Sequence, residues 1–321
     1  MDEGGYLHSS CEGFEIVLPY LTRRAVHSVI ALLGLVIAVF FLARLTGDPT
    51  DLFLPLDASR EERAEFAQRH GYDRPATEQF VHFVGDVMEG NLGFSLRKQR
   101  PAMELVLEAY PTTLKLAFVT LLFGISLAVA VGALAAYRPG GLFDRVGSTC
   151  SLIGASAPDF WVAITAILLF SVSLGWLPTS GTGGFLYWIM PVTVLALRPF
   201  GLLVQVVRGA MLDALASAYV KTARAKGVGE SSVIYVHALR NACLPVVTVA
   251  GDIAVGMING AVIVETVFGW PGVGKLMIDA VIQRDFAVVQ ASIMVTAAAI
   301  FLMNILIDLL YVALDPRIRH Q

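Results

Sequence analysis

Residues Thr112–Ala136 read TTLKLAFVTLLFGISLAVAVGALAA, an unbroken apolar run of 25 residues. Lys115 is its only ionisable residue. At about 1.5 Å of rise per residue a helix of this length reaches roughly 37 Å. The hydrocarbon core of a bilayer is about 30 Å thick and needs about 20 apolar residues to cross. In lipid every backbone N–H and C=O must be bonded internally, which a helix achieves and an open strand does not. Five further stretches have the same character: Val26–Leu42, Val146–Leu174, Leu186–Val207, Leu244–Val267 and Val288–Leu314. They are continuous apolar runs, unlike the alternating segments of about ten residues that build a membrane barrel. The expectation is an all-α polytopic membrane protein with six transmembrane helices.

Composition supports the same class. Of 321 residues, 56% are hydrophobic and 15% are charged; the mean hydropathy is +0.70. A soluble domain carries about 25% charged residues, so this chain cannot cover a water-facing surface. A disordered chain would be poor in apolar residues and rich in charge. The net charge of −3 gives no footing for a nucleic acid partner. The three cysteines, Cys11, Cys150 and Cys243, have no disulfide or zinc spacing. Met1–Ser10 has acidic residues and no apolar core, so it does not read as a signal peptide.

Lys and Arg in short loops set the orientation. With the N-terminus in the cytoplasm, the inner segments hold Arg23 and Arg24, then Arg138 and Arg145. The next holds Arg208, Lys221, Arg224, Lys226 and Arg240, and the tail holds Arg317 and Arg319. The outer loop Gly175–Phe185 holds none. Both termini are therefore expected in the cytoplasm, and the protein in the cell membrane as a multi-pass chain.

Two connections are longer than links need to be. In the outer one, Ser59-Arg60-Glu61-Glu62 forms a capping box. It predicts a short helix ending at Gly71, followed by a second over Thr77–Glu89 with Val81, Val84, Val87 and Met88 as its apolar stripe. This segment reads as a helical cap on the bundle or as a docking surface for an external partner. In the inner connection, Arg208–Cys243, Met211–Ala225 suits a helix. Gly227 and Gly229 then permit a sharp turn, and Glu230–Arg240 suits a second short helix. A protruding helix–turn–helix of this kind is either an interfacial amphipathic hairpin or a docking element for another subunit.

Ionisable residues within a span are costly and face a bundle interior or a wet path. Asp159 and Arg198 are expected deep within their spans, and Asp252 about 12 Å from the inner face. Asp159 and Arg198 either form an ion pair that fixes packing or line a translocation cavity with Asp252. Asn259 and Gln205 are further candidates for that lining. Gly251, Gly256 and Gly260 would permit close helix approach. Lys115 and Asp308 are near span ends and can snorkel.

The inner hairpin reads Tyr219-Val220-Lys221-Thr222-Ala223-Arg224-Ala225-Lys226-Gly227, then nine residues, then His237-Ala238-Leu239-Arg240-Asn241. It resembles the EAA loop of binding-protein-dependent ABC import permeases, in the form found in the peptide/nickel permease family. Lys221, Thr222, His237 and Arg240 depart from the general loop pattern and follow the peptide branch. Similar family stretches are Gly71-Tyr72-Asp73-Arg74-Pro75, Gly90-Asn91-Leu92-Gly93-Phe94-Ser95 and Glu265-Thr266-Val267-Phe268-Gly269-Trp270-Pro271-Gly272-Val273-Gly274. Arg284-Asp285 and the tail Leu314-Asp315-Pro316-Arg317 agree as well.

The resemblance implies the type I ABC importer membrane architecture and the first, B-type, permease subunit of a dipeptide or oligopeptide transporter. A nickel or other small-solute importer is the alternative within the family. Implied partners are a second, C-type permease, one or two cytoplasmic ABC ATPases and an extracytoplasmic solute-binding protein. Lys221, Thr222, Ala223, Arg224, Lys226, Gly227, Glu230, His237, Leu239 and Arg240 would form the ATPase-coupling loop. No cofactor is expected on this chain, because ATP and Mg would sit on the ATPases. The implied organisation is an extension over 1–20, a first span over 21–45, an extracytoplasmic helical loop over 46–111 and a core permease domain over 112–321. The coupling loop occupies 208–243 of that core.

Gly269-Trp270-Pro271-Gly272-Val273-Gly274-Lys275 mimics a phosphate-binding loop, but Leu276 stands where Ser or Thr would hold Mg. It reads as a turn. No catalytic constellation is legible: His27 and His237 lack an evident nucleophile partner, so the chain is expected to be a transport subunit and not an enzyme. On composition alone a self-contained secondary transporter or channel is the competing class, although no internal repeat supports it.

Overall fold

Continuous apolar sequence with few breakers gives long helices, and the computed structural model is helical nearly throughout residues 26–41, 54, 58–71, 73–95 and 97–314, which are those it describes. The helices are α1 (Val26–Phe41), α2 (Arg60–His70), α3 (Ala76–Met88), α4 (Ala102–Tyr137), α5 (Leu142–Ser156), α6 (Asp159–Ser173), α7 (Leu186–Ala216), α8 (Ala218–Ala225), α9 (Glu230–Val267), α10 (Val273–Gln283) and α11 (Phe286–Leu314). Two short strands, β1 (Phe94–Ser95) and β2 (Arg100–Pro101), pair antiparallel before α4. The extension 1–20, Arg23, Arg24 and the tail from Asp315 lie outside the described residues.

By length and apolarity α4, α7, α9 and α11 can each cross a membrane. The pair α5–α6 makes a fifth crossing if taken as one span, although it is bent by 103°. α1 is a shorter apolar helix. The structure thus carries four to five full-length apolar spans among the described residues, short of the six expected.

The third expected span, Val146–Leu174, is not one helix. α5 ends at Ala157, whose backbone is extended (φ −73°, ψ 135°), and Pro158 caps α6. Proline disfavours helical backbone at the residue before it, so the apolar run is split at its centre. α6 then widens to a π-helix over Ile167–Ser173. Other boundaries extend past the apolar runs. α4 begins at Ala102 and not Thr112, and α7 continues to Ala216.

The chain divides into two compact units. One holds the described residues up to Pro111 together with Gly272–Val312, and the other is chiefly Thr112–Pro271. In the first unit the capping box forms as expected. The Ser59 N–H donates to Glu62 Oε2 at 2.8 Å, and the Glu62 N–H donates to Ser59 Oγ at 3.2 Å. α2 stops at Gly71, which is left-handed (φ 70°). The stripe of α3 differs from expectation. Val81 and Met88 are exposed, while Phe83, Val84 and Val87 pack on a core that includes Val36, Val106 and Val288. Phe80 also meets Phe40 edge-on at 5.1 Å. Residues 80, 83, 84 and 87 share one helical face, and that face wins over the valine count. Ser95 is buried and donates to Asp285, which in turn caps α11 by accepting from the Val288 N–H at 3.4 Å.

In the second unit α7 is the central helix. Lipid tails are as apolar as leucine, so helices associate there through close packing of small residues and not by hydrophobic transfer. The core where α7 meets α4 and α9 follows this rule, with seven alanines among its thirteen buried residues. Ile234, Ala238, Ala242, Val246 and Ala250 recur every fourth residue and place one face of α9 in that core. A second core joins Leu116, Met190 and Leu195 to Met257, Ala261 and Val264. Of the glycines expected to permit close approach, Gly256 has nothing within 4 Å of where a Cβ would stand, and Gly260 has only Leu195 Cδ1 at 3.6 Å. The close approach lies elsewhere: a Cβ on Gly201 would stand 2.2 Å from the Ser151 carbonyl oxygen of α5.

Candidate functional site

The hairpin within residues 208–243 is built from a break, a short helix and a turn. α7 ends at Ser217, whose extended backbone (φ −68°, ψ 158°) also starts α8. The Ser217 hydroxyl donates back to the Ala214 carbonyl at 2.5 Å, closing the end of α7. α8 buries only Val220; Tyr219, Lys221, Thr222, Arg224 and Lys226 are exposed. Gly227 follows at φ 78°. Its N–H donates to the Arg224 carbonyl at 3.0 Å, and the Val228 N–H donates to the Ala223 carbonyl at 3.2 Å. This pair of bonds is a Schellman motif, which requires a left-handed residue at the turn.

An ion pair spans the turn. Arg224 Nη2 lies 2.5 Å from Glu230 Oε1, and Arg224 Nε donates to Oε2 at 3.3 Å. The hydrogen bond to Glu230 raises the Arg224 pKa above its ordinary value. Arg224 thus supports the turn as well as presenting charge. The second short helix expected over Glu230–Arg240 is not separate. α9 runs unbroken from Glu230 to Val267, with a π-helical stretch over Val233–Ala238. Burial of Val233, Ile234 and Ala238 holds this segment onto the core, so Pro245 falls inside the helix and does not start it. His237 and Leu239 are half-buried, and Arg240 is exposed beside them. The hairpin therefore grows directly out of α7 on one side and α9 on the other.

The residues expected within the spans are not gathered into one bonded cluster. Asp159 is the first residue of α6, at the break, and not deep within a continuous helix. Arg198 sits on α7 between Pro191 and Pro199, with an exposed side chain. Arg198 and Asp159 form no ion pair within 4.0 Å. Asp252 and Asn259 are exposed on α9. Gln205 faces α5 instead, donating to Ser151 Oγ at 2.7 Å.

Two polar features escaped the sequence reading. Asp144, only 4% exposed, is clamped by Arg208 through bonds of 2.5 and 2.8 Å. Its place in the first turn of a helix after Gly140-Gly141 was the available signal. Glu265 is fully buried and accepts from Thr113 Oγ1 at 2.6 Å. It anchors the Glu265–Gly274 stretch, in which Gly269 (φ 62°) makes the expected turn. The Trp270 N–H donates to the Glu265 carbonyl at 2.8 Å, and the Trp270 ring meets Trp188 edge-on at 4.6 Å.

With this geometry in place, relatives identify the architecture. The family described as "binding-protein-dependent transport system inner membrane component" matches residues 128–320, more than half of the chain. The chain belongs to this family. It is a permease component of an ABC transport system and a multi-pass protein of the cell membrane. The di/tripeptide transport system permease protein DppB of Pseudomonas aeruginosa is 38% identical, over 95% of this chain and 100% of that protein. The oligopeptide transport system permease protein AppB of Bacillus subtilis is 36% identical, over 94% and 99%. The glutathione transport system permease protein GsiC of Salmonella typhi is 35% identical, over 95% and 100%. Among solved structures, the permease shares its fold with the MetNI methionine ABC transporter in inward-facing conformations. That match has a TM-score of 0.56 and 19% identity, over 66% of this chain and 97% of that one. A crystal structure of an amino acid ABC transporter with histidines matches at TM-score 0.53 and 17% identity, over 66% and 94%.

Proposed function

We propose that this permease is the B-type membrane subunit of a peptide importer, with six spans and both termini in the cytoplasm. It works beside a C-type permease, one or two cytoplasmic ABC ATPases and an extracytoplasmic solute-binding protein. ATP and Mg bind the ATPases, and this chain supplies no catalytic group or cofactor site. Residues 208–243 are the coupling loop, in which α8 seats on an ATPase.

The observation that carries this reading is the α8 hairpin. It buries one residue, exposes Lys221, Arg224 and Lys226, and lies between two long apolar helices. A force on α8 therefore reaches α7 through the single-residue break at Ser217 and α9 through a turn braced by the Arg224–Glu230 ion pair. The names of the relatives, which describe di/tripeptide, oligopeptide and glutathione transport, support a peptide as cargo.

Arg198, Asp252 and Asn259 line the translocation path in this proposal, with Asp159 at its break and Gln205 at its edge. A charge facing lipid is costly, so the exposed Arg198 and Asp252 faces must be covered by the second permease or by water. Opposite charges there suit the two ends of a zwitterionic peptide. The test is uptake in proteoliposomes holding all partners, on a panel of peptides with nickel complexes as comparison. Binding-protein-dependent, ATP-driven peptide uptake is expected, with Arg198→Gln and Asp159→Asn changing uptake or peptide range. Uptake of nickel complexes alone, or unchanged uptake in both assembled variants, contradicts the cargo and path assignments respectively.

A further inference from the structure

The Asp144–Arg208 pair is more than a local cap. Asp144 is the third residue of α5, and its Oδ2 also accepts from the Gly140 N–H at 2.8 Å, while Ser148 Oγ donates to Oδ1 at 3.3 Å. Arg208 reaches it as a two-pronged fork from α7. Such forks fix orientation as well as distance. One turn earlier on α7, Gln205 bonds Ser151, and one turn before that Gly201 lies against the Ser151 carbonyl. Positions 201, 205 and 208 share one face of α7, and 144, 148 and 151 share one face of α5. The result is a continuous seam of small and polar contacts, clamped at its end by a charge pair in which Asp144 is buried and Arg208 half-buried. Arg208 stands only nine residues, about 13 Å, before the Ser217 break that leads into α8. At the other end of α5 is the Ala157–Pro158 break, where Asp159 begins α6.

We propose that Asp144 and Arg208 are positioning residues of the transport cycle, fastening α5 to α7 so that a displacement of α8 carries both helices as one body and is delivered to the break before Asp159. This rests on the coupling role proposed for residues 208–243. Neither residue touches cargo or nucleotide. Their work is to prevent α7 from sliding past α5 when the hairpin is pushed.

The test uses the complete complex in proteoliposomes. Wild-type protein is measured first: absence of ATP-driven uptake there overturns the coupling role and this inference together. With wild-type uptake established, Asp144→Asn and Arg208→Gln are expected to hydrolyse ATP when binding protein is added. Each molecule of ATP should move less peptide, by on the order of tenfold. Asp144→Glu, which keeps the charge, should recover part of that loss. An unchanged ratio of ATP to peptide in the assembled variants overturns the inference alone.

A second arm does not depend on those variants assembling. Cys11, Cys150 and Cys243 are replaced by Ser, and Gly154→Cys is joined to Leu197→Cys, whose parent residues meet across the seam. A Cβ on Gly154 would lie 3.6 Å from Leu197 Cδ2. Joined by the shortest bis-methanethiosulfonate linker, α5 and α7 can still move as one body, so uptake should persist. Loss of uptake on joining, with the complex intact, shows that the helices slide and overturns the inference.

Discussion

Gly227 is the position where the hairpin needs a left-handed backbone. Its φ of 78° is open to glycine and closed to proline, whose ring holds φ near −65°. Its N–H is also needed for the bond to the Arg224 carbonyl. Gly227→Pro should leave membrane insertion intact and uncouple ATP hydrolysis from uptake; normal uptake per ATP in that variant contradicts the coupling assignment. Gly201 and Gly256 make a contrasting pair. A side chain at Gly201 would collide with the Ser151 carbonyl, whereas nothing stands near a Cβ at Gly256. Gly201→Val should lower thermal stability in detergent by the roughly 1–3 kcal/mol or more of an overpacked site. Gly256→Ala should be neutral or gain up to about 1 kcal/mol from helix propensity. Glu62 carries a pH prediction. The Ser59 N–H and hydroxyl bond its carboxylate and hold its pKa below the ordinary value. A depressed carboxylate pKa stabilises the folded state above the unfolded pKa, and that contribution is lost as pH falls through the folded one. Amide protection in the first turn of α2 should therefore weaken as pH drops below the ordinary glutamate range. Protection that stays constant through that range would show the cap to be dispensable.

Helices read well from the sequence where local signals and packing agreed. Ser59, Glu62 and Gly71 fixed α2 because a cap and a left-handed stop are written in adjacent residues. The turn at Gly227 was legible for the same reason. The continuous α9 was not, since Pro245 and the charged residues Glu230 and Arg240 at the two ends of a short segment argue locally for a boundary. The four-residue recurrence from Ile234 to Ala250 holds the helix together only because a core exists to receive it. The bend between α5 and α6 was missed in the opposite sense. Pro158 was visible, but apolar residues on both sides suggested one span. The Asp144–Arg208 clamp joins residues 64 positions apart, and no local pattern names such a partner. The broken α5–α6 pair makes its own prediction. Pro158→Ala removes the restriction on Ala157, so the two segments should straighten toward one helix. Pulsed dipolar distances between spin labels near Leu142 and Ser173 should lengthen and uptake should fall. An unchanged distance would mean that packing, and not proline, sets the bend.

At the scale of the molecule, the described residues combine long apolar helices with an exposed hairpin between α7 and α9. Four to five apolar spans among the described residues and a family match over residues 128–320 describe a permease component, and the exposed hairpin between α7 and α9 is the part proposed to take up motion from an ATPase. The unit that holds α2, α3 and α11 is fastened by buried polar bonds such as Ser95 to Asp285. The membrane unit around α7 is fastened by small-residue packing and by the Asp144–Arg208 pair. The decisive measurement is peptide uptake by purified permease in proteoliposomes, made once with this chain alone and once with the second permease, the ATPases and the binding protein added. Uptake that needs every partner and stops when ATP is withheld is the predicted result. Accumulation of peptide against its gradient by this chain alone would contradict it.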